Sequence, residues 1–233
     1  MIGILIQLLL SALLLWWLEK QNLSVLGWKP SSQRIFQLFT GVFLAIITAS
    51  TFHLISGILN GTSWHKNPSF HYADLLNGLW WMLRSVLYEE LIFRGALFYI
   101  ALKRLGVKKA LWLSVIAFGI YHWFSYGAFG QPFQMLFIFL ITAAAGWIYG
   151  YAFIKTGSLY ATIGLHLGWN CTGSLLFSQG SIGKYILVPI KDASFEQNEL
   201  VSFLFMIFYQ MFIPALITWL WLRKKEGENI YKQ

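Results

Sequence analysis

Glu89 and Glu90 lie side by side in the apolar run Trp80–Gly95, and carboxylates there are the residues of this chain best suited to chemistry. A carboxylate near the centre of a bilayer costs about 2.5–3.5 kcal/mol even on lenient insertion scales, so a pair of them calls for a function or a partner. Arg94 is at i+4 from Glu90, the helical spacing and order at which acid and base meet on one face. Glu89 is turned about 100° from Glu90 and has Phe93 at i+4, so its partner must come from another helix.

Polar residues on two later apolar segments supply candidates. His122 closes the run Ser114–His122, and His166 and Asn170 are one turn apart on a single face of another helix. Counting about 1.5 Å per residue from the basic end of each helix puts Glu89, His122 and Asn170 all about 20 Å deep, with His166 about one turn lower. The expected arrangement is one polar pocket inside a helical bundle.

Those helices belong to an integral membrane protein. Of 233 residues, 58% are hydrophobic and 11% charged, against about 25% charged in an ordinary globular domain. Windows at Ile2–Leu18, Ile35–Leu59, Leu75–Leu102, Ala110–Tyr126, Phe133–Ile154, Leu159–Phe177 and Leu200–Leu222 predict an all-α, polytopic membrane helix bundle of about seven spans in a single domain, 1–233. Pro214 falls in the last span, where a membrane helix tolerates a kink. Asn60–Ser69 and Ser178–Asn198, the latter with Gly180, Gly183 and Pro189, read as connections.

The net charge of +8 raises nucleic acid as a partner, but its distribution follows the positive-inside rule instead. Lys20, Lys29, Arg34, Lys103, Arg104, Lys108, Lys109, Lys155, Arg223, Lys224, Lys225 and Lys232 sort to one side. Lys66, Lys184 and Lys191 sort to the other. This predicts the N-terminus outside and the C-terminus in the cytoplasm, in a membrane expected to be a bacterial plasma membrane. The first span lacks a basic leader and a small-residue cleavage site, so it reads as an anchor. A single cysteine, Cys171, precludes an internal disulfide and points about 100° away from the Asn170 face.

Three motifs stand in order on these helices. Glu89-Glu90-Leu91-Ile92-Phe93-Arg94 fits E-E-x-x-x-R, Phe118-Gly119-Ile120-Tyr121-His122 fits F-x-x-x-H, and His166-Leu167-Gly168-Trp169-Asn170 fits H-x-x-x-N. The set resembles the CPBP family of CAAX prenyl endopeptidases and bacteriocin-processing (Abi) proteins, over about Leu75–Phe177. The resemblance implies an intramembrane endopeptidase acting on a membrane-associated or lipidated peptide. It implies that Glu89 and His122 activate a water, that His166 and Asn170 stabilise the oxyanion, and that Glu90 with Arg94 supports the site.

Other assignments compete for the same residues. An interhelical ion-pair network that only fixes packing suits Glu90 and Arg94 best, and His166 with Asn170 could be polar glue between helices. Zinc is the alternative cofactor, held by Glu89, His122 and His166 around an open position. With no H-E-x-x-H helix motif, and with a Glu/His pair plus oxyanion donors sufficient for hydrolysis, the expectation is no cofactor. A scaffold or bacteriocin-immunity protein would keep the fold without cleaving, and a proton-coupled transporter would use the acids and histidines as a relay. His53, His65 and His71 are expected at the surface or interface, Arg84 beside Tyr88 or in the bundle interior, and the 12 Trp mainly at membrane interfaces.

Overall fold

The third apolar stretch does not run through as one helix. In the computed structural model, which describes residues 2–179, 182–183 and 185–225, it divides at Arg94-Gly95 into α3 (Tyr72–Phe93) and α4 (Ala96–Leu105). This corrects the single span expected over Leu75–Leu102. The chain leaves helical geometry at Gly95, whose ψ is −143°, directly after the motif arginine. Around this break are α1 (Ile2–Glu19), α2 (Ser32–Leu59), α5 (Val107–Ser125), α6 (Pro132–Thr156), α7 (Leu159–Cys171) and α8 (Glu199–Leu222), giving eight α-helices among the described residues. Expectations that involved Gly180, Lys184 and Lys232 lie outside the described residues.

The all-α membrane bundle stands, and length and composition by themselves account for four of the about seven expected spans. Among the described residues α1, α2, α6 and α8 are the four helices long and apolar enough to cross a membrane by themselves. Of the helices below that threshold, α3, α5 and α7 bear the polar motifs. Charged Asp74, Arg84, Glu89 and Glu90 dilute α3, and Lys108 and Lys109 open α5. The 13 residues of α7 reach only about 20 Å before the helix loosens into a π-turn at Thr172–Leu176, short of the expected end at Phe177.

Local sequence explains where the central elements start and stop. Gly157 adopts φ 61° and ends α6 in the left-handed conformation that a side chain resists. Ser158 then caps α7 by accepting from the Tyr160 amide, so adjacent residues stop one helix and start the next. The Ser158 hydroxyl also donates to the Gly27 carbonyl, tying the α6–α7 corner to the α1–α2 connection. Two apolar clusters fill the bundle: one joins Leu15, Leu26, Phe98, Leu102, Phe153 and Leu159, the other Phe93, Phe118, Ile148, Tyr149 and Leu165.

At the basic end, Glu19 bridges Lys103 and Arg104 at 3.6 and 2.8 Å, joining the end of α1 to the end of α4. At the other end, the two long connections form an unforeseen antiparallel ribbon, β1 (Thr62–Lys66) with β2 (Leu187–Lys191). Pro189 is tolerated because both strands are edges. His53, expected at the surface or interface, is half-buried in an aromatic group, with its ring 4.8 Å from Phe177 and 6.2 Å from Trp64.

Candidate active site

Arg94 anchors the site from below. Its side chain is fully buried, with Nη1 3.2 Å from Glu90 Oε1 and Nη2 donating to the Gly146 carbonyl of α6 at 3.0 Å. The guanidinium also lies over the rings of Phe118 and Tyr149, 4.4 and 5.2 Å from their centroids. Such stacking suits the weakly hydrated, planar arginine cation far better than a lysine. The Glu90–Arg94 pair predicted from helical spacing is therefore present, and it is locked to α5 and α6 as well.

Glu90 has a second partner. His166 Nδ1 lies 2.8 Å from Glu90 Oε1, and the imidazole stacks on Tyr149 with centroids 4.5 Å apart and planes 16° from parallel. A carboxylate can only accept, so Nδ1 carries the proton and donates. The Tyr149 face and one carboxylate thus fix the His166 ring, leaving Nε2 directed toward Glu89 at 3.9 Å from Oε2.

His122 is fixed by a different device. Its Nδ1 donates to the Phe118 carbonyl one turn back on α5 at 2.8 Å, because a carbonyl likewise only accepts. In the neutral ring this leaves Nε2 with its lone pair, 3.8 Å from Glu89 Oε2. Glu89 therefore has an imidazole nitrogen on either side, from α5 and from α7. Its Oε2 is buried and has no hydrogen-bond partner, as do Glu90 Oε2 and Arg94 Nε.

Three of the four candidate site residues, Glu89, His122 and His166, thus meet around one carboxylate oxygen. Asn170 does not join them by contact: it stands one turn beyond His166 on the same face of α7, half-buried, with its amide unengaged among the described residues. Three contributors escaped the sequence reading. Tyr149 and the Gly146 carbonyl lie on α6, which carries no motif, so no local spacing marks them. Ser85 brings its hydroxyl to Glu89 from i−4, a position that helical periodicity alone would have found.

Glu89 Oε2 and the two Nε2 atoms form the donor set a zinc ion would need. Zn–N and Zn–O bonds of about 2.0–2.1 Å in a tetrahedron hold ligands about 3.4 Å apart, tighter than the 3.8 and 3.9 Å seen here. Among the described residues no group of three or more His, Cys, Asp or Glu side chains is close enough to hold a metal ion. The same gap, too long for a direct hydrogen bond, is one that a single water can bridge.

Comparison with known proteins gives a family match over the helices that carry this constellation. Residues 71–172, from the start of α3 to the end of α7, match the Rce1-like family, described as type II CAAX prenyl endopeptidase Rce1-like. No curated protein and no solved structure matches the chain.

Proposed function

We propose, from the match of residues 71–172 to the Rce1-like family, that this protein hydrolyses a peptide bond in a membrane-associated or lipidated peptide, with Glu89 as general base. The observation that carries the proposal is the buried, unpartnered Oε2 of Glu89 between the Nε2 atoms of His122 and His166. A water held there donates one proton toward Glu89 and the other toward the His122 lone pair.

In the reaction the water oxygen bonds to the scissile carbonyl carbon while its proton passes to Glu89, giving a tetrahedral oxyanion. His166 and Asn170 are the donors for that oxyanion. To donate from Nε2 while Nδ1 binds Glu90, the His166 ring must carry both protons, and the Glu90 carboxylate balances the imidazolium that results. On collapse the C–N bond breaks, and the proton on Glu89 moves to the leaving nitrogen. The products are a carboxylic acid and an amine, with Glu89 restored and no redox partner consumed. No step uses a metal ion.

Side-chain exposures of 13% for Glu89 and His122 and 5% for His166 keep the site nearly dry, which strengthens each of these interactions. The lipidated substrate follows from the family's name-giving activity, and the apolar surface of the bundle offers such a peptide a lateral approach.

The test compares new peptide termini in membranes carrying wild type or Glu89→Gln at equal abundance. Termini present only with wild type identify both activity and substrate. Their absence, with both proteins folded, would transfer the fold to a scaffold or immunity role.

A further inference from the structure

Arg84 lies on an exposed face of α3 and forms no ion pair with any described residue. It lines a cleft of about 290 Å³ between α3 and the first turn of α1, together with Trp81, Ser85, Tyr88, Gly3 and Ile4. The residues around the cleft are apolar and outward-facing: Ile2 is 76% exposed, Trp80 50% and Trp81 49%. An unpaired guanidinium surrounded by such a surface needs an anion whose remainder is apolar.

Depth locates the cleft relative to the bilayer. The 18 residues of α1 span about 27 Å, close to the roughly 30 Å thickness of a hydrocarbon core. One end of α1 is fixed by Glu19 with Lys103 and Arg104, a charged cluster suited to one membrane interface. Gly3, at the opposite end, packs against the Tyr88 ring one turn from Arg84. Arg84 therefore comes level with the opposite interface, beside two exposed tryptophans of the kind that mark headgroup depth. Lipid phosphates lie at that level.

We propose that the α1–α3 cleft is a phospholipid-binding site, in which Arg84 holds the headgroup phosphodiester, the Tyr88 hydroxyl supplies a further hydrogen bond, and the acyl chains run along the exposed apolar face of α1. Guanidinium–phosphate pairing is bidentate and charge-assisted, the strongest recognition available to a single side chain here. The site is distinct from the one around Glu89 Oε2, and its occupancy is measured as bound lipid, independently of peptide cleavage.

The full chain is purified in mild detergent and titrated with dioleoylphosphatidylglycerol, with bound lipid counted by native mass spectrometry. Dioleoylglycerol, which lacks the phosphate, and inorganic phosphate alone serve as separate probes. The expected result is one tightly held phosphatidylglycerol, weakened about ten-fold or more by Arg84→Gln and less by Arg84→Lys, as loss of a charge-assisted hydrogen bond dictates. Dioleoylglycerol and inorganic phosphate should each bind far more weakly. Equal lipid retention by wild type and Arg84→Gln overturns the proposal, as does equal retention of dioleoylglycerol. Arg84-dependent binding of inorganic phosphate at the lipid's strength also overturns it, because the cleft would then be a free-anion site. Arg84→Lys, with its charge retained and its melting compared with wild type, separates loss of lipid from loss of fold.

Discussion

His166 Nδ1 and Glu90 Oε1 are 2.8 Å apart, so the second glutamate of the adjacent pair is bound to an imidazole as well as to Arg94. One carboxylate oxygen holds two cationic or proton-bearing groups from different helices, while the neighbouring glutamate keeps an oxygen free. Both glutamates keep Oε2 without a hydrogen bond, but Glu90 is tied through Oε1 to two buried groups, whereas Glu89 Oε2 faces the two Nε2 atoms of His122 and His166.

Glu90 should be needed for folding as well as for rate. Replacing it by Ala leaves Arg94 buried without its counter-charge, and breaking a buried pair in this way costs about 3–5 kcal/mol. Glu90→Ala is expected to melt well below wild type or to be lost from the membrane. Glu90→Gln retains an acceptor for His166 and Arg94 but not the charge, and should remain folded with peptide cleavage reduced about ten-fold or more. Melting curves in detergent together with cleavage rates check both outcomes; a fully active Glu90→Gln would remove the charge-balancing role.

Much of this site was legible in the sequence because helical spacing and depth are both linear in residue number. The i, i+4 relation gave Glu90–Arg94, and counting rise from the basic ends brought Glu89 level with His122. The same counting put Asn170 level and His166 about one turn lower, and it is His166 whose side chain approaches Glu89, 3.9 Å away. Depth fixes height but not the direction in which a side chain leans, and the break at Arg94-Gly95 changes the path from which height was counted. That break was hidden because apolar residues resume directly after Arg94-Gly95, from Ala96 to Leu102, so the two helices read as one stretch. Tyr149 and the β1–β2 ribbon depend on contacts between segments far apart in sequence, which no local periodicity records.

His122 should affect chemistry more than stability. Its ring is tied by one hydrogen bond to the Phe118 carbonyl, and its free nitrogen faces Glu89. His122→Phe keeps a planar ring but removes the proton acceptor, so cleavage is expected to fall about 10²–10⁴-fold, the usual worth of a positioned acid–base group. Thermal melting should shift little. A variant that keeps wild-type turnover would show that Glu89 alone suffices to activate the water.

Metal removal tests the cofactor assignment directly. The donor spacing around Glu89 exceeds that of tetrahedral zinc, and the proposed steps need only the protein's own groups. Protein stripped with chelator, and shown by elemental analysis to contain less than stoichiometric metal, is expected to cleave at the untreated rate. Loss of activity that returns with added zinc would assign Glu89, His122 and His166 as ligands instead.

The position of α7 depends on Gly164. A Cβ at this residue would collide with the Leu38 carbonyl oxygen of α2, the helix against which α7 makes its most extensive contact. Small residues allow such backbone approach between membrane helices, and overpacking a tight contact costs about 1–3 kcal/mol. His166 is half a turn further along α7, so any retreat from α2 also shifts its ring relative to Glu90 and Tyr149. Gly164→Ala is therefore expected to lower the melting temperature and, in the fraction that folds, to reduce cleavage without altering Glu89 or His122. A Gly164→Leu protein should fail to accumulate. If Gly164→Ala melted and cleaved like wild type, the α2–α7 contact would have to be looser than its geometry requires, and the placement of His166 would have to rest on Glu90 and Tyr149 alone.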